Sequence, residues 1–386
     1  MSRNGISGQD LSLDYFGWKI SFVPDMDISG KYGQEVAKRN LVRCWDFDLP
    51  EKDGTVFRGF ARRFVNTFVP HFDDSDLATR DKYGEGKGDV EIDGIKSLQH
   101  VACEDRRMLD DGKWLGEIAL VTLKGDVDNL GMLFQQGLEK PTFAKWASLS
   151  RQMNHFFSLW LPWFCEYGMD GRGVQRYRNT YTVFAGGDDF FLIGPWKSTI
   201  EFAGKIRRYF SDYVVNEGIT FSAGLSMTKP KVPARHLSAL AESALDKSKQ
   251  RNKNAATLWN QTIGWGDWKE LMIDRAKNLE ALLEKAREHG APLSSGMVYS
   301  LLELADKAER DQAGRDDRRP EDSLWRSQLY YRTTRLIRDR IRGGEDSEAL
   351  RRDLHMEVCG EIADSLQKFR GKYRLPLSVL LYTRRE

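Results

Sequence analysis

The sequence has few of the features that mark secreted, zinc-binding or membrane-spanning proteins. Its 386 residues include four cysteines, which are far apart and form neither a C-x-x-C pair nor a zinc-ligand spacing. The first residues form no apolar segment of the kind found in signal peptides, and the most apolar run, 156–164, is too short to cross a bilayer. We therefore expect reduced thiols and a cytoplasmic protein.

Strong overall charge and repetition are also missing. The formal net charge is +2, so overall charge favours no particular partner, and any nucleic-acid surface must be a local patch. The sequence contains no internal repeat and no low-complexity tract. Apolar residues make up 40% and charged residues 30% of the chain, which is typical of a globular protein with room for two or three domains.

The segment 181–195 is the most informative part of the sequence. Two apolar runs, 181–185 and 190–193, flank a polar tip, which is the pattern of a β-hairpin with a glycine-containing turn. The tip consists of Gly186, Gly187, Asp188 and Asp189. The glycines allow positive φ and close approach of a ligand, and the adjacent carboxylates favour a cation such as Mg²⁺ or Mn²⁺ between them. Glycine and aspartate are also common turn residues, so an ordinary exposed hairpin is the alternative.

A second informative segment follows the β-rich run 117–123. In it Asp126 and Asp128 are two residues apart, so on a strand end they share one face. If this strand pairs beside the hairpin, Asp126 meets the two aspartates of the tip around one or two cations. The next backbone N–H groups are placed to bind phosphate oxygens. They belong to Asn129, Leu130 and Gly131.

The predicted elements around these motifs follow the order βαββαβ. They are a strand at 117–125, a helix at 142–166, the hairpin strands, a helix at 198–215 and a strand at 219–227. This is the ferredoxin-like order of polymerase and cyclase palms, which brings the first strand and the hairpin into one antiparallel sheet. A helix at 234–250 and a strand at 255–259 extend the domain. We therefore predict an α+β fold with a palm domain at 111–264.

The segments on either side of the palm differ from each other. Residues 1–110 read as mixed strand and helix, with a helix at 56–69, a loop at 73–94 and a second helix at 95–109. Residues 265–386 have helical periodicity and predict an all-α C-terminal domain. Its segment 323–343 is rich in arginine, which suits either a phosphate backbone or a solvated, protein-docking face. These arginines are Arg326, Arg332, Arg335, Arg338, Arg340 and Arg342.

Several motifs together resemble those of a known family. They are Lys124–Gly131, Leu149–Arg151, Ala185–Asp189, Ile193–Trp196 and Ile219–Gly224. In this combination the chain resembles the second palm of the large subunit of type III CRISPR effector complexes. The Gly-Pro-Trp after the hairpin is more similar to the Csm-type than to the Cmr-type subunit. The resemblance covers about 55–386 and is weaker to diguanylate cyclases, in which a segment like 241–254 supplies a lysine to nucleotide phosphates.

This resemblance implies a function in antiviral defence. In the family, the large subunit condenses ATP into cyclic oligoadenylates, second messengers that activate ancillary nucleases, when the complex holds a target RNA. The resemblance further implies that Asp126, Asp188 and Asp189 hold two divalent metal ions, and that Lys249 contacts the phosphates. It also implies a helical C-terminal domain that packs on small subunits of a complex with a guide RNA.

Some parts of the family protein have no counterpart in the sequence. The intact subunit begins with an HD-type nuclease domain, a first palm and a zinc-binding module, yet this sequence has no His-Asp dipeptide and no C-x-x-C pair. We therefore expect the chain to correspond to the C-terminal half, either as the product of a split gene, with the HD nuclease and the first palm on a separate partner chain, or as an excised piece of a longer protein. Because one palm offers one donor site, we expect the chain alone to bind ATP but to synthesise product poorly.

Two other functions stay open at this point. One is a diguanylate-cyclase-like homodimer that uses GTP, although the hairpin tip ends in Asp189 and not in glutamate. The other is a non-catalytic scaffold subunit that binds an RNA-guided assembly through 265–386. The presence of Asp126, Asp188 and Asp189 argues against this second function. No residue in the sequence decides between adenine and guanine, so the prediction of ATP depends on the resemblance.

Overall fold

The computed structural model describes residues 11–22, 38–53 and 67–385, apart from 17, 42, 46, 48, 138–139, 141, 170–172, 252, 313–318 and 342–345. The chain divides into two compact units, Met1–Val65 and Asn66–Glu386. In the first unit, strands β1 (Leu11–Tyr15) and β2 (Trp18–Phe22) form an antiparallel hairpin. The helix predicted at 56–69 lies almost entirely outside the described residues.

The second unit begins with short elements. They are α1 (Asp74–Ala78), a 3₁₀ segment (Arg80–Asp89), α2 (Leu98–Val101), and the paired strands β3 (Arg107–Met108) and β4 (Trp114–Leu115). The loop predicted at 73–94 and the long helix predicted at 95–109 are therefore wrong. Asp73 starts α1 with a capping box, in which its carboxylate accepts from the Asp76 N–H and the Asp76 carboxylate accepts from the Asp73 N–H.

A buried ionic cluster lies within this opening segment. Lys96, which is 1% exposed, donates to Asp76 and to Glu104, with 2.7 Å between nitrogen and oxygen in each pair. Lys82 contacts the same two carboxylates at 2.9 and 2.7 Å. The hydroxyl of Tyr83 lies within hydrogen-bond distance of both carboxylates, at 2.8 and 2.6 Å, and can donate its one proton to either. Two acids and two lysines thus satisfy one another largely shielded from water.

A six-stranded sheet forms the centre of the second unit. Its strands are β5 (Leu120–Val127), β6 (Tyr181–Gly186), β7 (Asp189–Pro195), β8 (Phe221–Thr228), β9 (Ala255–Leu258) and β10 (Gln261–Gly264). Their order across the sheet is β10–β9–β8–β5–β7–β6, and only β8 and β9 run parallel. The strand predicted at 219–227 is confirmed as β8, and the first strand and the hairpin share one antiparallel sheet, as predicted.

Helices cover both faces of this sheet. In chain order they are α3 (Leu130–Gln136), α4 (Phe143–His155), α5 (Leu161–Tyr167), α6 (Trp196–Val214) and α7 (Ala234–Gln250). A π-helical turn, Phe156–Trp160, joins α4 to α5, so the helix predicted at 142–166 is confirmed with an irregular centre. Helix α7 lies very close to β8, because a Cβ at Gly224 would stand 2.2 Å from the Ala241 carbonyl oxygen.

The chain after the sheet is helical, as predicted. It contains α8 (Trp265–Trp268), a π-helical segment (Lys269–Arg275), α9 (Ala276–Glu288), α10 (Ser295–Gln312), α11 (Trp325–Ile337), α12 (Asp346–Phe369) and α13 (Arg374–Thr383). Their buried side chains join the same hydrophobic core as the sheet, so a domain boundary at 264 stays a prediction. Among the described helices, none combines the length and apolar character needed to cross a membrane.

Candidate functional site

The turn of the β6–β7 hairpin is tighter than the sequence predicted. Gly186 pairs with Asp189, so the strands continue to these residues and only Gly187 and Asp188 form the tip. Gly187 has a φ of 65°, whereas Asp188 keeps a negative φ, which is typical of a two-residue turn with glycine first. The Gly187 N–H donates to the Asn154 Oδ1 atom on α4 at 3.0 Å. Sequence reasoning missed Asn154, whose only signal was a polar residue within an amphipathic helix.

Strand β5 brings a third acid to the hairpin. Asp126 lies directly opposite Asp189 on β7 and opposite Ser222 on β8. Opposite residues of antiparallel strands project to the same face of a sheet, so the two carboxylates share one face. The Val127 N–H donates to the Asp188 carbonyl oxygen at 2.9 Å, which fixes the turn against the end of β5. The structure therefore places Asp126 opposite Asp189 and beside the turn that carries Asp188, as the sequence predicted.

The surroundings of Asp126 and Asp189 disfavour ionisation of their carboxyl groups. Burial raises the pKa of Asp126, and the charges of Asp188 and Asp128 raise it further, against the opposing effect of Lys249. The pKa of Asp189 is also raised, first by burial and then by Asp188 and Asp126. The cluster therefore holds more negative charge than its surroundings neutralise, which is the electrostatic condition for binding a cation.

Lys249 lies at this cluster. It belongs to the last turn of α7, and its Nζ atom lies 2.6 Å from the Asp126 Oδ2 atom. Both side chains are about one third exposed, so the ion pair is open to solvent on one side. A second lysine on the same face, Lys124, forms an ion pair with Glu242 of α7. Helix α7 thus supplies the counter-charges on this side of the sheet.

The segment after β5 leads into α3. Asn129 adopts a left-handed conformation with a φ of 56°, and its side chain makes no cap on the helix. Instead, its Oδ1 atom accepts a hydrogen bond from the Lys253 ammonium group. Leu130 and Gly131 open the helix, where N–H groups have no partner within the helix. A cavity of about 260 Å³ borders this segment, lined in part by Asp128 and Asn129.

Asp128 differs from Asp126 in its surroundings. It lies one residue past the end of β5 and is 5% exposed, so the two acids do not lie together on one strand as the sequence predicted. Its carboxylate accepts three hydrogen bonds from within the protein. The sequence pattern alone could not distinguish the two aspartates.

The described side chains allow a simple test of whether a metal ion fits. No three His, Cys, Asp or Glu side chains in the described part of the chain are gathered closely enough to hold a metal ion by themselves. Mg²⁺, however, is commonly held by one or two carboxylates together with substrate phosphates. Asp126 and Asp189 supply two oxygen-donor side chains on one face, so the residues fit a Mg²⁺ or Mn²⁺ ion that binds together with a nucleotide.

The arginines predicted to contact nucleic acid lie on or just after α11. Arg332 donates to the Ser300 carbonyl oxygen and pairs with Glu303, and Arg338 pairs with Glu348. Arg326 and Arg335 stack on the rings of neighbouring aromatic residues. Arg342 lies outside the described residues. Nucleic-acid contact through this helix therefore stays a prediction.

Comparison with known protein sequences identifies the central part of the chain. Residues 119–257 match the family model described as the second palm domain of Cas10/Cmr2. A protein of Enterococcus italicus, named CRISPR system single-strand-specific deoxyribonuclease Cas10/Csm1 (subtype III-A), is 30% identical over 190 residues, which are 48% of this chain and 23% of that protein. The protein of the same name from Methanocaldococcus jannaschii is 33% identical over 160 residues, 37% of this chain and 20% of that protein. The chain spans about a quarter of the length of these curated relatives.

Solved structures give a consistent result for the fold. The chain is similar to a structure described as the apo Csm1-Csm4 cassette, with a TM-score of 0.51, 23% identity, and coverage of 81% of this chain and 41% of that chain. It is equally similar, at a TM-score of 0.51 and 21% identity, to a Csm1-Csm4 cassette in complex with cA4, over 79% of this chain and 40% of that chain. At these identities the likeness concerns the fold alone.

Proposed function

We propose that this chain, whose residues 119–257 match the second palm domain of Cas10/Cmr2, is a nucleotide-condensing palm of a type III CRISPR effector complex. It joins ATP into cyclic oligoadenylate second messengers when the complex holds a target RNA. The observation that carries the proposal is the position of Asp126 opposite Asp189, at the Asp188 turn and in contact with Lys249. The strand order β8–β5–β7–β6 supports a ferredoxin-like arrangement of this palm.

The acidic cluster provides the negative charge of the site. Asp126 and Asp189 would hold Mg²⁺ or Mn²⁺ together with the substrate phosphates, and Asp188 at the adjoining turn would add negative charge. The ion would supply charge neutralisation at the triphosphate and lower the pKa of an attacking ribose hydroxyl. The raised pKa of Asp126 and Asp189 supports this role, because unneutralised carboxylates gain most from a cation. Rigid strand pairing holds both residues in place before the substrate arrives.

The phosphate side of the site is positive and rich in N–H donors. Lys249, held at the cluster by Asp126, neutralises phosphate charge and stabilises departing pyrophosphate. The N–H groups of Leu130 and Gly131, in the first turn of α3, would donate to phosphate oxygens. Gly186 and Gly187 have no side chains, so a nucleotide approaches the turn closely.

A second palm completes the site. Chain building needs a donor and an acceptor nucleotide, so a second palm must face this one. We propose that this palm is supplied by residues outside the present sequence, whether on a separate chain or in a longer form of the same protein. We propose that the wider assembly includes other type III effector subunits and a guide RNA.

Nucleotide incubation tests this function. The purified chain, alone and with a partner chain that carries a first palm, is incubated with Mg²⁺ and either ATP or GTP, and products are identified by mass spectrometry. We expect ATP binding by the chain alone and cyclic oligoadenylate only from the pair. Cyclic diguanylate from the chain alone would support the homodimeric cyclase instead.

Two other results would count against the proposal. If the chain bound neither ATP nor GTP, the result would favour the non-catalytic scaffold subunit. Efficient synthesis of cyclic oligoadenylate by the unaided chain would contradict the need for a second palm. A sample without Mg²⁺ is the control for hydrolysis by contaminants.

A further inference from the structure

Asp128 is the most completely buried acid near the candidate site, and the proposed chemistry does not use it. Its Oδ2 atom accepts from the Thr220 hydroxyl at 2.7 Å and from the Asn254 N–H at 2.9 Å. Its Oδ1 atom accepts from the Ser222 hydroxyl at 2.7 Å. Its own N–H donates to the Thr220 carbonyl oxygen at 2.7 Å. Both carboxylate oxygens are therefore engaged inside the protein, unlike those of a residue that awaits a ligand.

The partners of Asp128 come from two separate places in the chain. Thr220 and Ser222 stand at the start of β8, whereas Asn254 lies in the turn between α7 and β9. Asp128 itself lies between β5 and α3. One carboxylate thus joins the ends of three segments that surround the candidate site. Hydrogen bonds to a charged acceptor are among the stronger ones in proteins.

The turn that Asp128 holds is strained. Lys253 and Asn254 both have positive φ, 59° and 44°, and neither is glycine. Such conformations persist only where surrounding contacts impose them. Asn254 is held at three atoms: its N–H by Asp128, its carbonyl oxygen by the Trp265 N–H, and its side-chain oxygen by Arg207.

The strained turn carries a cation to the site. The Lys253 ammonium group donates to the Asn129 Oδ1 atom at the entrance of α3. It stands four residues after Lys249, which contacts Asp126. Lys249 lies in the last turn of α7 and Lys253 follows the end of that helix, so both lysines reach the site from the same end of α7. The position of Lys253 depends on the backbone at 253–254.

We infer that Asp128 is a positioning residue, which holds the Lys253–Asn254 turn so that Lys253 stands at Asn129, beside the place where the triphosphate binds. This inference rests on the proposed function for the identity of the ligand. Asp128 acts through Lys253 and does not itself hold a metal ion. Asparagine at this position keeps one acceptor for the Asn254 N–H, whereas alanine keeps none.

Variants of the full-length chain test the inference. Asp128→Ala and Asp128→Asn are compared with Asp246→Asn, which removes the same charge from an exposed position on α7. Binding of a non-hydrolysable ATP analogue with Mn²⁺ is measured by calorimetry, and hydrogen exchange of the Asn254 amide is measured without nucleotide. We expect Asp128→Ala to weaken nucleotide binding and to speed this exchange, each at least roughly 10-fold, because a bond to a charged acceptor is lost. Asp128→Asn should lie between Asp128→Ala and wild type, and Asp246→Asn should change neither quantity.

A double-mutant cycle separates positioning from general destabilisation. If Asp128 acts through Lys253, then Lys253→Met weakens nucleotide binding in the wild-type background but adds little in the Asp128→Asn background. Additive losses would overturn the inference, and so would unchanged exchange at Asn254. Asp128→Asn decides the matter if Asp128→Ala fails to fold. If the wild type does not bind the ATP analogue, the proposed function fails, and exchange at Asn254 alone then decides whether Asp128 anchors the turn.

Discussion

Two clusters of charged residues in the second unit have opposite electrostatic character. In the opening segment, Asp76 and Glu104 face Lys82 and Lys96, so acids and bases are equal in number. Burial alone would raise the pKa of Asp76, yet the ammonium groups of Lys96 and Lys82 lower it well below its usual value. This cluster is closed, because every charge has its partner inside the protein.

The candidate site shows the reverse. Its acids, Asp126, Asp188 and Asp189, have one direct ammonium contact, from Lys249. The pKa of Asp126 and that of Asp189 are raised although both residues are less buried than Asp76. Burial is thus the largest single effect on all three pKa values; the two ammonium groups together outweigh it at Asp76, whereas the lysines at the candidate site do not. A balanced buried cluster is costly to break, because removing one partner leaves an uncompensated charge, whereas an unbalanced one is ready to bind a cation at a cost in stability.

The largest expected effect comes from removing the charge of the site. In the complex with a first-palm partner, Asp188→Asn combined with Asp189→Asn should lower the rate of cyclic oligoadenylate synthesis by at least roughly 1,000-fold, because the metal-binding charge is lost. The measurement is a timed assay of product by chromatography. Assembly with the partner chain, checked by size-exclusion chromatography, should not change. A scaffold subunit would show no change in any activity.

The next largest effect concerns the balanced cluster. Lys96→Met should lower the free energy of unfolding by about 3–5 kcal/mol, because the two buried carboxylates of Asp76 and Glu104 would be left with Lys82 as their one shared cation. The measurement is urea denaturation followed by circular dichroism. The control is Lys87→Met, which breaks the exposed pair with Asp81 and should cost less than about 1 kcal/mol. Equal losses in the two variants would show that the buried cluster is not a closed unit.

The two clusters also differ in how far the sequence could predict them. The acidic site could be predicted, because the alternation of side chains in β5 and the glycine turn of the hairpin fix which residues face each other. The balanced cluster was not, because glycine and aspartate in 73–94 suggested a loop, and no local pattern shows that Lys96 meets Asp76. A buried ion pair depends on contacts between distant segments.

The same limit applies within the site. Asp126 and Asp128 have the same spacing pattern, but one meets Asp189 on β7 and the other turns inward to Thr220. That choice depends on β8, more than 90 residues further along the chain. The contact between Lys249 and Asp126 could likewise not be predicted from the spacing of residues in the sequence. This lysine was predicted from the resemblance to a known family.

The smallest expected effect is an increase in stability. Asp189→Asn should raise the free energy of unfolding of the metal-free chain at pH 7 by less than about 1 kcal/mol, because the side chain is part-exposed and the repulsion it relieves is screened. The pKa of Asp189 is raised in the folded protein, so its ionisation opposes folding fully above the folded pKa and not at all below the unfolded value of about 3.9. The advantage of the variant should therefore appear at pH 7 and vanish near pH 3.5, as measured by urea denaturation at both values. Asp246→Asn, on the exposed face of α7, should show no advantage at either pH, and a less stable Asp189→Asn variant at pH 7 would mean that the cluster is already balanced without a cation.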